Sequence, residues 1–310
     1  MGRVSRLRLL LPLGGVVLFL LFPARAAAGA ASGLRLAAGV LIPSLFPVGV
    51  LAGALVRLAP EGAAGPWPGR VFQALFGGSE AGAAPLVLGL LGGYPLGANL
   101  VCSLYREGRL SEAEARRLSG LCNNAGPAFL LGVVGTVLGE LRLGAALAGI
   151  QLLSVLLTGL LLREPWPVIQ AAPKQGGKVP GPGDALLSSL RDTALSMVFL
   201  TGTVVFFQAG LACLEALLPL ASLPPFPRAL LAGSLELSGG VNALRGLSAR
   251  TAFPAASLLI GWGGCCVHLQ AAGALRAAKL PIGPYLRSKL LQGAICLILG
   301  ALFALFISVR

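Results

Sequence analysis

The sequence predicts an all-α fold: a polytopic transmembrane helical bundle of about seven spans, with two re-entrant hairpins arranged as an inverted repeat. Three observations lead to it. Hydrophobic residues make up 56% of the chain and charged residues 11%, with a mean hydropathy of +0.85, whereas a soluble domain carries roughly 25% charged residues to solvate its surface. Apolar runs close to the ~20 residues needed to cross hydrocarbon recur along the length. Two further apolar stretches are punctured by Gly and Pro, which interrupt the backbone ladder and survive at membrane depth only when buried in protein or lining a cavity. A β-barrel is excluded, because polar and apolar residues do not alternate and Leu, Ala and Gly dominate.

Taken in chain order, Arg3, Arg6 and Arg8 precede the apolar run Leu9 to Phe22. Ala24-Arg25-Ala26 has the look of a signal-peptidase site. The next apolar stretch follows almost at once, so an uncleaved first helix is expected. Spans are expected near 9–23, 34–56, 120–139, 143–162, 186–213, 253–275 and 288–309. In the second of them, Ile42-Pro43-Ser44-Leu45-Phe46-Pro47 sets two prolines four apart, which must kink or unwind the helix.

The first hairpin covers Val71 to about Leu104 and holds Gly77-Gly78, Pro85, Gly92-Gly93-Tyr94-Pro95 and Gly97. The second runs from Ala229 to about Leu247 and holds Glu236, Ser238-Gly239-Gly240 and Asn242. Each is followed by a helix that opens on a polar or Gly-rich break, Leu121-Cys122-Asn123-Asn124-Ala125-Gly126-Pro127 and Gly261-Trp262-Gly263-Gly264-Cys265-Cys266. Gly97 and Asn124 lie 27 positions apart, Gly240 and Gly264 24. With the first hairpin expected to enter from the inside and the second from the outside, two units with the same parts, opposite in the membrane, are the signature of an inverted-repeat transporter.

With the N-terminus inside, sixteen Lys and Arg fall on the inner face, Arg109, Arg117 and Lys289 among them, and seven on the outer. That asymmetry orients the chain with a cytoplasmic N-terminus. It also accounts for the net charge of +13 without nucleic acid. The Pro-, Gly- and Lys-rich stretch between Arg163 and Asp184 reads as a flexible linker. The expected organisation is an N-terminal helix over 1–33, a first repeat over 34–162, the linker over 163–184, and a second repeat with the C-terminal helix over 185–310. Between Tyr105 and Arg117 lies a solvated amphipathic helix, with Ser111 and Glu114 as a capping box.

Several classes of chemistry are set aside. The six cysteines contain no C-x-x-C pair. Adjacent Cys265 and Cys266 diverge by about 100° on a helix, so no metal site is expected, and no cofactor. The chain has no Walker A loop, no H-E-x-x-H, no G-x-S-x-G and one histidine. It is not expected to be an enzyme.

Polar groups inside apolar segments are the candidates for binding a substrate or ion, since each costs free energy unless paired or hydrated. Glu236, flanked by Ser238 and two glycines, reads as a solute or coupling-ion ligand or a proton carrier, or else as a structural acid at a helix end. Asn123 and Asn124 can offer amides to a solute or cap the helix that starts near Pro127. Gly93, Tyr94, Pro95, Gly97 and Asn99 form a tight hairpin tip, and Asn242 takes the comparable place in the second hairpin. Gln208, Gln270 and His268 are lone polar residues expected to be satisfied by neighbouring helices, and Arg191-Asp192 is read as an interfacial pair.

The segments Ile42–Pro47, Gly93-Tyr94-Pro95-Leu96-Gly97-Ala98, Cys122-Asn123-Asn124-Ala125-Gly126-Pro127-Ala128-Phe129 and Leu235-Glu236-Leu237-Ser238-Gly239-Gly240 resemble the YlbJ family of sporulation integral membrane proteins, which carry the nucleoside-recognition Gate domain. The resemblance extends over roughly residues 15–305 and is tightest over 89–135. It implies a Gate-type inverted repeat, a multi-pass location in the bacterial inner membrane, and a role in building the spore cortex. The expected partners are the lipid bilayer and a small-molecule solute, with a homo-oligomer or membrane complex as a further expectation. The rival to transport is a membrane scaffold for sporulation or envelope assembly.

Overall fold

Two antiparallel rods, each 36 residues long, form one side of the molecule. The computed structural model describes residues 3–58, 66–163, 180–218 and 222–307. After α1 (Arg3–Leu21), Pro23 starts α2 (Pro23–Leu36), which continues through a π-helical turn (Ala37–Leu41) into α3 (Ile42–Leu58). In an α-helix the Pro43 ring would clash with the Gly39 carbonyl. The wider π turn takes up this misfit, so the double-proline segment unwinds locally and the rod continues. Its partner is α10 (Pro182–Leu217). Glycines four apart bring the two backbones together: Gly29 and Gly33 lie against Ala209 and Val205, and Gly49 and Gly53 against Thr193 and Ser189. Such small-x-x-x-small spacing lets membrane helices associate by close packing where no hydrophobic drive exists.

The remaining elements are α4 (Pro66–Phe76), α5 (Ala83–Gly92), α6 (Leu96–Arg106), α7 (Glu112–Leu121), the largely π-helical α8 (Ala128–Val137), α9 (Leu141–Leu161), α11 (Pro225–Leu235), α12 (Leu237–Ala243), α13 (Ala249–Trp262), α14 (Gly264–Ala277) and α15 (Gly283–Ala304). Among the described residues, five helical stretches are long and apolar enough to cross a membrane: 23–58, 141–161, 182–217, 249–277 and 283–304. A sixth is reached if the pair 69–76 and 80–92, bent by 96°, is one crossing. Large apolar side chains stand outward on these elements, with Leu20 74%, Val198 72% and Leu161 66% exposed. A surface of that kind belongs against lipid.

The expected span 120–139 is interrupted: α7 ends at Leu121, and helix resumes only at Ala128. Of the expected first hairpin, residues 83–106 form a helical hairpin, α5 and α6, while 71–76 belong to α4; it turns at Gly93-Tyr94-Pro95, where Gly93 has φ 81° and the Tyr94–Pro95 peptide is cis. Residues 229–247 form a second hairpin, α11 and α12, turning at the single residue Glu236. Of the expected linker, residues 164–179 lie outside the described residues.

Each hairpin packs closely on a helix break. Gly89 and Gly97, on the two arms of the first hairpin, face the Cys122 carbonyl so closely that neither has room for a Cβ, and Gly93 packs on Gly126. In the second half, Gly240 sits against Gly233 across the hairpin, and Gly264 of the broken pair α13–α14 faces the Gly233 carbonyl.

Several charges read from the sequence as topological are structural. Arg109 donates to the Val56 carbonyl at 2.7 Å, and Arg117 to the carbonyls of Phe76 and Gly77. Both tie off carbonyls in or just after the last turns of α3 and α4 that have no intrahelical partner. The capping box forms: the Ser111 hydroxyl accepts from the Glu114 backbone, and the Glu114 carboxylate accepts from Ser111 N–H at 3.0 Å and Ser79 N–H at 2.5 Å. Asp192 pairs with Arg57 at 2.5 Å, not with its neighbour Arg191.

Candidate functional site

Glu236 organises the site. Its backbone is extended (φ −137°, ψ 115°), closing α11 and opening α12. Its carboxylate accepts from Ser238 N–H at 3.0 Å, Gly239 N–H at 2.7 Å and the Gln208 amide at 2.5 Å. The side chain is 3% exposed. A carboxylate in such a place is held by charge-assisted bonds and by the positive end of the helix it caps. Glycine is required at 240, where a Cβ would run into the Gly233 backbone of the opposite hairpin arm.

Beside Glu236 is a cavity of about 70 Å³, bounded by Ser44, Tyr94, Gly126, Ser238 and Gln270. It therefore touches both hairpin tips and the first break. A larger vestibule of about 320 Å³ lies next to it, walled by Arg57, Asn99, Arg106, Asp192 and Ser196. Arg106 and Asp192 are exposed at its mouth. Leu45, Tyr94 and Gln270 belong to both walls, so these three side chains separate surface from interior. Tyr94 is fixed by donating its hydroxyl to the Ile260 carbonyl at 2.7 Å, a bond from the first hairpin to the last turn of α13.

The sequence candidates divide accordingly. Gly93, Tyr94, Pro95 and Gly97 form the first tip as expected, with Tyr94 on both cavities and Pro95 on the vestibule. Asn99 lines the vestibule and donates to the Ser196 hydroxyl at 3.1 Å. Ser238 lines the inner cavity. Asn123 and Asn124 line neither cavity: both are fully buried and turn toward α15. Asn242 stands exposed at the end of α12, with Arg245 as its partner at 3.4 Å, away from both cavities.

Around Asn123 and Asn124 the structure assembles a network that the sequence reading missed. Lys289, 0% exposed, donates from Nζ to the Asn123 carbonyl at 2.8 Å and to Gln292 Oε1 at 2.6 Å. Gln292 donates to Asn124 Oδ1 at 2.7 Å. Asn123 donates to the Tyr285 hydroxyl at 3.1 Å, and that hydroxyl meets His268 Nδ1 at 3.2 Å. Gln151 holds both backbone groups of Ala125. The readable signal was spacing: Tyr285, Ser288, Lys289, Gln292 and Cys296 form one buried face of α15. Gln208 and Gln270 were expected to find helical partners; Gln208 binds Glu236, and Gln270 donates to the Thr203 hydroxyl at 3.0 Å.

Lipid-facing helices, interrupted crossings and an internal cavity bounded by hairpin tips define the class: an all-helical, multi-pass integral membrane protein. Within it the chain is YlbJ-like. It is similar to the sporulation integral membrane protein YlbJ of Bacillus subtilis (strain 168), with 26% identity over an alignment of 304 positions that covers 84% of this chain and 73% of the relative. No family model and no solved structure matches the chain.

Proposed function

We propose that the chain is a secondary transporter of a small solute, alternating access about the cavity beside Glu236. The observation that carries this reading is the position of that cavity, between both hairpin tips and one break, with Tyr94, Leu45 and Gln270 between it and an open vestibule. In transporters, interrupted helices present their free backbone groups and dipole ends to a midplane solute. Here Ser238 and Gly126 take that position, and Glu236 is the coupling or ligand group. We read the two interlocked hairpin-and-break units as a Gate-type inverted repeat in the bacterial inner membrane, with a cytoplasmic N-terminus. In this reading the chain carries out no covalent chemistry. From the relative's name we carry over a part in sporulation, and the family resemblance suggests the spore cortex as the place it serves.

A membrane scaffold would favour a sealed interior, and a cavity that shares a wall with an open vestibule argues against it. Thermal-shift screening of the purified protein against nucleosides and peptidoglycan precursors should identify a stabilising solute. Counterflow of that solute in proteoliposomes should then be present in the wild type and fall to background in Glu236→Gln. Undiminished counterflow in a folded Glu236→Gln protein would remove Glu236 from the mechanism; no stabilising solute and no flux would favour the scaffold.

A further inference from the structure

Lys289 is a wholly buried amine, and no carboxylate lies within ion-pair distance of it among the described residues. To keep its proton there without an acid, it must be solvated by neutral oxygens. Those oxygens come from the broken helix and from its own: the Asn123 carbonyl and Gln292 Oε1. Asn123 Oδ1, from the same break, is buried and has no hydrogen-bond partner. The Tyr94 ring, from the tip of the first hairpin, has the ammonium 5.5 Å from its centroid. The other titratable groups of the network are Tyr285, His268 and Cys296, and none supplies a counter-charge as a carboxylate would. A carbonyl of an unwound helix beside amide oxygens is the donor set with which interrupted helices hold a coupling cation.

We propose that the Lys289 ammonium is a built-in replacement for that cation: it occupies, from α15, an oxygen-lined position at the Cys122–Gly126 break that would otherwise bind sodium. The chain therefore needs no external sodium to hold its first hairpin, break and α15 together. The coupling aspect rests on the transport reading above; occupancy of the site does not.

The test uses the full-length protein in detergent without solute, melted in sodium chloride and in choline chloride at equal ionic strength. Wild type should melt at the same temperature in both. Lys289→Ala, which removes the tether and opens the site, should melt below wild type in choline and gain about 5 °C in sodium, as expected for a ligand well above its Kd. Lys289→Met, neutral but still filling the space, should show no sodium response. A sodium-specific shift in wild type overturns the proposal, as does a Lys289→Ala protein that is indifferent to sodium. If Lys289→Ala folds in neither salt the proposal also falls, because excess sodium should restore it. Since no solute is present, a protein that proves not to transport would leave these outcomes unchanged, and failure here would leave the Glu236 cavity untouched.

Discussion

Replacing Tyr94 by Phe removes one oxygen and, with it, a direct tie between the first hairpin and α13. The hydroxyl donates to the Ile260 carbonyl at 2.7 Å in a buried setting. Ile260 lies in the last turn of α13, where carbonyls lack an intrahelical donor. At Gly263 the chain turns left-handed (φ 94°) before α14 begins. A neutral hydrogen bond contributes about 1 kcal/mol net, and a buried carbonyl left without a partner costs roughly 1–3 kcal/mol. The ring remains, so no cavity term adds to this, and its contact with Lys289 is kept. We expect a loss of about 2 kcal/mol, or a Tm lower by about 3 °C. Differential scanning fluorimetry of the purified protein, read from tryptophan emission, measures it. A Tyr94→Phe protein with wild-type Tm would refute the reasoning, because the bond would then contribute nothing to joining the first hairpin to α13.

Gly97→Ala places a Cβ inside the Cys122 carbonyl, backbone against backbone; a loss of about 1–3 kcal/mol or more is expected, while Gly132→Ala, with nothing within 4 Å, should melt like wild type. Glu114 sits outside the crossing helices. Burial pushes its carboxyl up, but the hydrogen bonds from Ser111 and Ser79 outweigh this and hold it below the usual range. Its contribution is therefore fully present above the unfolded pKa of about 4.3 and is lost as pH falls through the lower folded value. Glu114→Gln should lower stability by about 1 kcal/mol at neutral pH, and the gap to wild type should close as melts are taken into that acid range.

Much of the architecture was legible because the membrane constrains it so tightly. Gly and Pro in an apolar run admit few interpretations, and Gly93-Tyr94-Pro95 and Glu236 both proved to be turns. Ser111 and Glu114 carried a local rule that tertiary packing did not override. The partners were not legible, because they depend on which helices meet. Lys289 follows Arg287 by two residues and reads with it as a topological charge; without it the inner face still holds fifteen against seven. The tally is insensitive to the residue that matters most inside. Asn123 and Asn124 fitted either a solute contact or a helix cap by type alone. In the structure Asn124 bonds back to the Leu121 carbonyl at 2.6 Å, and both reach α15, some 160 residues further on.

The second hairpin reverses direction at one amino acid, with its arms in contact at Gly233 and Gly240. There is no slack in such a bend. Parting the two arms like a clasp would break the backbone packing of Gly240 on Gly233, so the hairpin is built to travel as a single wedge, carrying its carboxylate along. Whatever displacement this protein undergoes must be taken up at the roots of that wedge, and its acidic point arrives wherever the wedge does.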